Sequence, residues 1–303
     1  MYTVSINPSY FCNFSCDFCY LTESQLRDSK KIELNRLDEL LSQVPSIEHI
    51  DLYGGEIGAL KKDYFYAMKD VIRKHYNGEI NVITNYSMIH EGFYADDVYL
   101  SVSYDFAARE KSELVYKNML MSPVPIAVLI LASPKVLKMD VEEMIGMLNL
   151  CSSIDSVEIK PYSINQANSY NVTHRDYENF VIKWLTASTP KRFRFINEDH
   201  IQDSYEGLYN AFSDNHVYIT PNGKFGVLEF DKYDKEYFLE LESWNEYIEW
   251  TQKEKNELSD ICKRCKYYGG CLTEHYRYVE NLENSCNGYK GLLDWYGECK
   301  SGK

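Results

Sequence analysis

The chain lacks any long apolar run. It has 303 residues and a hydrophobic content of 45%, but its apolar segments are short and interrupted, and none reaches the ~18 residues of a membrane-crossing helix. The N-terminus, MYTVSINPSYFC, lacks the basic stretch followed by an apolar core that marks a secretory signal. Both absences lead us to expect a cytoplasmic protein with no membrane partner. Positive charge is also short: 32 Lys and Arg stand against 46 Asp and Glu, a net charge of −14. That argues against nucleic acid, whose phosphates are bound through Lys and Arg. It suits simple solubility or a neutral or basic partner. Internal repeats and low-complexity tracts are absent. The length suffices for one sizeable domain with an appendage or for two small ones.

What is present is a repeating strand–helix pattern. Strands are predicted at Thr3–Asn7, His49–Tyr53, Ile80–Thr84, Val98–Ser103, Pro125–Leu131 and Val157–Pro161. Helices are predicted at Leu34–Val44, Asp63–His75, Glu110–Met121, Val141–Leu150 and Tyr177–Leu185. Such repeats imply an α/β fold with a parallel sheet. Six units are too few for a closed eightfold barrel and suit an open, partial (β/α)6 TIM barrel, with ligands at the carboxyl ends of the strands. The pattern changes near residue 190. His216–Thr220 and Lys224–Phe230 flank Pro221-Asn222-Gly223 and read as a β-hairpin, and Ser243–Leu258 reads as a helix. From Ile261 the chain turns Cys-, Gly- and Tyr-rich with little periodicity, so a metal site is expected to hold it together. The expected division is residues 1–190 and 191–303.

Nine cysteines carry the chemistry. Cys12, Cys16 and Cys19 form a Cys-x3-Cys-x2-Cys loop directly after the first strand. Three thiolates on one loop can ligate three irons of a cubane cluster and leave the fourth iron open to chelate a small ligand. A zinc knuckle is the alternative, but zinc generally takes four ligands and no His or fourth Cys is near in sequence. This spacing resembles that of the radical S-adenosylmethionine superfamily. The resemblance implies a 4Fe–4S cluster that reductively cleaves S-adenosylmethionine to a 5′-deoxyadenosyl radical. It implies that Tyr20 contacts adenine.

Further motifs close later strands. Tyr53-Gly54-Gly55-Glu56 resembles the family's glycine–glycine–glutamate motif. Its glycines allow close approach of backbone to ligand, and Glu56 offers an acceptor to an ammonium. Asn85 follows Thr84 where relatives often have Thr-Asn-Gly, with Tyr86 in place of the glycine. Ser103-Tyr104-Asp105 resembles a Ser-x-Asp motif, in which Ser103 contacts the ribose or carboxylate. Asn85 and Ser103 also fit as turn-capping polar residues. Lys160, ending the sixth strand, reads as a solvated charge rather than a cavity residue.

The second constellation is Cys262-x2-Cys265-x5-Cys271, followed by Cys286. It resembles the C-terminal SPASM region in its shorter, twitch-like form. His275 stands where the full pattern has a further Cys, and the hairpin carries none, so the resemblance implies one auxiliary 4Fe–4S cluster on Cys262, Cys265, Cys271 and Cys286. A zinc ribbon fits the same ligands. Cys151 reads as a buried small hydrophobe. Cys299 reads as idle, a spare ligand or a hydrogen-atom donor.

The resemblance covers nearly the whole chain and points to a peptide-modifying oxidoreductase. The expected reaction is hydrogen abstraction from a ribosomally made precursor peptide, leading to a carbon–carbon or thioether crosslink. The expected electron source is external, of flavodoxin or ferredoxin type. The alternatives are a peptide epimerase with Cys299 or Cys151 as catalytic hydrogen donor, a radical enzyme acting on a small molecule, and a non-enzymatic redox binder. The sequence opens on its first strand, so peptide recognition is expected to fall to the barrel, the C-terminal region or a separate protein.

Overall fold

A computed structural model describes residues 1–162, 172–228, 238–256, 260–272, 286 and 289–302. The predicted ends of the hairpin at Phe230 and of the helix at Leu258, and His275, lie outside the described residues.

Strand residues largely alternate between two environments. In β1 (Tyr2–Ile6), β2 (Ile47–Leu52), β3 (Ile80–Thr84), β4 (Val98–Ser103), β5 (Ile126–Leu131) and β6 (Ile154–Lys160), one set of positions is aliphatic and buried: Val4, Ile50, Val82, Leu100, Val128 and Val157 are all fully inaccessible. The intervening positions hold Ser5, Asp51, Asn81, Ser101, Ala127 and Ser156. With a side-chain period of two, this makes a sheet with one greasy face and one polar face. The greasy face is covered by α2 (Leu34–Gln43), α3 (Lys62–Arg73), α4 (Ser112–Leu120), α5 (Val141–Asn149) and α6 (His174–Leu185), whose Leu37, Phe65, Val115, Ile145 and Trp184 join the strand residues in one core.

Among the described residues the sheet has ten strands, in the order β10-β9-β8-β1-β2-β3-β4-β5-β6-β7. β1 to β7 run parallel, as the βα repeats predict. The seventh strand, β7 (Arg194–Phe195), is two residues long and escapes a pattern-based reading. It leads into α7 (Ile196–Tyr205). The hairpin forms as expected, as β8 (His216–Ile219) and β9 (Phe225–Leu228). It extends the same sheet: β8 pairs in parallel with β1, Val4 opposite Val217 and Ile6 opposite Ile219. β10 (Phe238–Leu241) then pairs with β9. Trp244 of α8 (Trp244–Asn256) meets Tyr2 edge-on at 4.8 Å, and α10 (Lys290–Lys300) buries Leu292 and Leu293 in the common core. Residues on both sides of position 190 therefore share one sheet and one core. Among the described residues no helix is long and apolar enough to cross a membrane.

Candidate active site

The cysteine loop leaves β1 and is fastened along its length. The Cys12 N–H donates to the Leu26 carbonyl of the short α1 (Glu23–Leu26) at 3.0 Å, and the Glu56 N–H to the Phe11 carbonyl at 2.8 Å. The Gly55 N–H donates to the Ser9 carbonyl at 3.1 Å. A Cβ on Gly55 would stand 2.1 Å from the Phe11 carbonyl oxygen and 2.2 Å from that of Tyr10. The glycine pair at the end of β2 thus lets the cysteine loop itself close down on the sheet, and it lines the cavity beneath.

Glu56 is buried and stitches two strand ends together. Its Oε1 accepts from the Gly58 N–H at 2.7 Å and from the Thr84 hydroxyl, and its Oε2 from the Asn85 N–H at 2.7 Å. Burial pushes its carboxyl upward, against the pull of those three donors. Asn85 in turn reaches the cysteine loop: its Nδ2 donates to Asn13 Oδ1 at 2.9 Å and to the Cys12 sulfur at 3.8 Å. Tyr86 adopts a left-handed backbone with φ of 55°. That conformation costs a non-glycine residue about 1–2 kcal/mol, offset here by complete burial of the ring, a 2.9 Å contact of its hydroxyl with that of Tyr94, and a 2.8 Å bond from Asn118 to its carbonyl.

Two of the three sulfurs receive backbone donors two residues on. Cys12 accepts from the Phe14 N–H and Cys19 from the Leu21 N–H, both at 3.4 Å. Burial pushes the Cys12 thiol up to about 12 and the Cys19 thiol to about 11, and raises that of Cys16, where Arg109 pulls the other way. Thiols so placed stay protonated until a cation takes the protons' place. Arg109 was not singled out in the sequence. It is largely buried, bonds Asp105 at 2.6 Å, and lies 5.1 Å from the centre of the Phe18 ring. Asp105, wholly buried, also accepts from the Leu131 N–H at 2.5 Å. The spacing of Asp105 and Arg109, four residues apart, was the available signal. Among the described residues no three His, Cys, Asp or Glu side chains converge on the position of a single ion. A cubane cluster asks for a different geometry, with each sulfur facing its own iron around a space. A shared loop, N–H donors on sulfur and a nearby buried cation fit such an anionic group.

Beneath the loop lies a cavity of about 710 Å³, within the usual range for small-ligand pockets. Cys12, Cys16, Cys19, Tyr20, Gly54, Gly55, Asn85 and Ser103 all line it, whereas Glu56 does not. Because strands from β8 through β6 contribute to one cavity, the polar face of the sheet is concave. Lys160 lines it as well, bonded to Glu158 at 2.7 Å, rather than standing as an isolated solvated charge. His49, Asp51, His200 and His216 belong to the lining and were also missed. Cys151 is buried and Cys299 exposed, and neither lines the cavity among the described residues.

The second cysteine group is brought together. Cys262, on α9 (Asp260–Lys263), packs with Cys271, Ala211 and Phe212. Burial and the nearby Cys286, Cys265 and Cys262 sulfurs push the Cys271 thiol up to about 12. Four thiols close enough to feel one another's charge fit a site whose ligands are all protein sulfur.

No family model matches the sequence, and no curated protein matches it. Solved structures do share the fold. Native anSMEcpe with bound AdoMet (S-adenosylmethionine) superposes with a TM-score of 0.65 at 14% identity, over 98% of this chain and 95% of that one. The same protein with AdoMet and the Kp18Cys peptide gives 0.67 at 15% identity, over 99% and 98%. Streptococcus suis SuiB bound to the precursor peptide SuiA gives 0.63 at 13% identity, over 92% and 75%.

Proposed function

We propose that the chain is a radical S-adenosylmethionine oxidoreductase that modifies a peptide, with an open partial (β/α)6 barrel and one auxiliary cluster carried by the segment 191–303. The carrying observation is a single loop that holds three cysteine sulfurs at the carboxyl ends of parallel strands, over a 710 Å³ cavity. Cys12, Cys16 and Cys19 would hold a 4Fe–4S cluster, which would supply the electron for reductive cleavage of S-adenosylmethionine and so the means of taking a hydrogen atom from substrate.

The chain's own residues do the rest. Tyr20, Gly54, Gly55, Asn85 and Ser103 line the upper cavity and bind S-adenosylmethionine. Glu56 acts one step back, fixing the ends of β2 and β3 so that Asn85 meets the cysteine loop. Arg109 balances the negative charge of the thiolates. Solved structures of the same fold bind AdoMet and peptides, which supports a precursor peptide as substrate. Cys151 and Cys299 stand away from the cavity, which favours oxidative crosslinking, carbon–carbon or thioether, over epimerisation with a thiol donor. Cys262, Cys265, Cys271 and Cys286 hold the auxiliary cluster, and an external flavodoxin- or ferredoxin-like protein supplies electrons.

Anaerobically reconstituted protein, reduced with dithionite beside S-adenosylmethionine, is expected to release 5′-deoxyadenosine. The Cys12→Ala/Cys16→Ala/Cys19→Ala variant is expected to release none and to keep iron at its C-terminal site. A wild type that releases no 5′-deoxyadenosine sinks the radical reading. Zinc instead of iron in the triple variant sinks only the auxiliary cluster.

A further inference from the structure

A polar chain that the roles above leave unused reaches the cavity through His216, Ser5 and Asp51. Successive strands contribute one residue each: His216 from β8, Ser5 from β1, Asp51 from β2, Asn81 from β3 and Ser101 from β4. The register sets Ser5 opposite Asp51 and Asp51 opposite Asn81, with His216 and Ser101 each two residues along the neighbouring strand. His216 Nε2 lies 2.8 Å from Ser5 Oγ, which donates to Asp51 Oδ2 at 3.2 Å. Asn81 Nδ2 donates to Asp51 Oδ1 at 2.7 Å, and Asn81 Oδ1 accepts from Ser101 at 2.7 Å. His49, two residues before Asp51 on the same face of β2, sets Nε2 3.0 Å from Asp51 Oδ1.

Asp51 is held as an acceptor by two protein donors, so the His49 nitrogen facing it carries the proton. In the neutral ring the other nitrogen, Nδ1, is then the acceptor. The His49 side chain is 44% exposed and lines the cavity. From His49 to Tyr53 the strand climbs ~13 Å, at ~3.3 Å per residue, toward the cysteine loop. That leaves room for a peptide side chain between the two.

We infer that His49, its tautomer fixed by Asp51, is the proton acceptor for a substrate group in the lower cavity. The inference rests on the crosslinking reading above. In that step a substrate carbon radical bonds to atom X of a second substrate group X–H. The X–H bond breaks, its proton goes to His49 Nδ1, and the surplus electron goes to a one-electron acceptor of the iron–sulfur class.

The charged and titratable groups that act on this pair are Glu48 on β2, Glu79 ahead of β3, Tyr76 and His216. The hydrogen bond to Asp51 raises the His49 imidazole above its ordinary value. Burial opposes the rise, and the charges of Asp51, Glu48 and Glu79 add to it. Burial also works against the Asp51 carboxylate, but His49 and Asn81 more than offset it and hold that carboxyl low. His49 therefore becomes a free base only as pH rises through a value above ~6.5.

The test is carbethoxylation of the reconstituted full chain by diethyl pyrocarbonate, which attacks unprotonated imidazole, read by mass spectrometry of the His49 peptide across about pH 5–9. The midpoint for His49 is expected above ~6.5, and Asp51→Asn is expected to lower it by about one unit or more. A His49 that never reacts, a midpoint at or below the ordinary value, or one unmoved in Asp51→Asn overturns the assignment. The wild-type midpoint decides alone if Asp51→Asn does not fold. Release of 5′-deoxyadenosine reports separately on the radical reading, so the two can fail independently.

Discussion

Asp105 and Arg109 show how much one pair of side chains carries in this molecule. Burial opposes the Arg109 charge, and Asp105 with the Cys16 and Cys19 sulfurs holds it in place. Asp105→Ala leaves that guanidinium buried without its partner and strips the Leu131 N–H of its acceptor. Breaking a buried pair in this way costs about 3–5 kcal/mol. A matching drop in stability is expected from urea denaturation, and a loss under 1 kcal/mol would show that the pair behaves as an exposed one. Tyr86 makes a related point. The local backbone asks for glycine, and tertiary packing supplies enough to keep a tyrosine there.

At the scale of elements, the cysteine loop and the end of β2 act as one unit. Gly55→Ala places a methyl group 2.1 Å from a backbone carbonyl, and backbone is not a flexible neighbour that can swing aside. The loop must lift, carrying Cys12 away from Cys16 and Cys19. The expected outcome is unchanged helix and strand content by circular dichroism, with a clear fall in iron bound at the N-terminal site after reconstitution. Normal iron content would mean that the loop tolerates the shift. The parallel strands and their helices were legible in the sequence because apolar spacing alone specifies them. The strands Ile80–Thr84 and Val98–Ser103 stand as predicted, and other boundaries moved by up to three residues: the helix read as Tyr177–Leu185 begins at His174, where a Thr173–Asp176 capping box starts it. β7 was illegible because two residues show no periodicity.

At the scale of the whole molecule, the two ends of the sequence meet in the sheet. β8 covers the edge of β1, and Val217, Ile219, Phe225 and Tyr247 join the core that Val4 and Ile6 begin. A fragment ending at residue 190 would bare the β1 edge and that apolar surface together. Exposed edges of this kind pair with other chains. The fragment is expected to aggregate on size-exclusion chromatography and to lack a cooperative thermal transition. A monomeric fragment with a sharp transition would argue for two independent units.

The sequence by itself determined the cysteine spacings, the βα repeat and the alternation along most of the strands, because these are properties of neighbours in the chain. That alternation already set Ser5, Asp51, Asn81 and Ser101 on one face. What they would meet across that face depended on strand order and register, which spacing along one strand does not encode. Only the folded sheet showed that Glu56, a ligand candidate in the sequence, is a buried acceptor that fastens two strand ends. It placed Arg109 among the cysteines and closed the line from His216 through Ser5 to Asp51. Those contacts join residues tens to hundreds of positions apart, and the hydrogen bonds that define them exist only where parallel strands lie side by side.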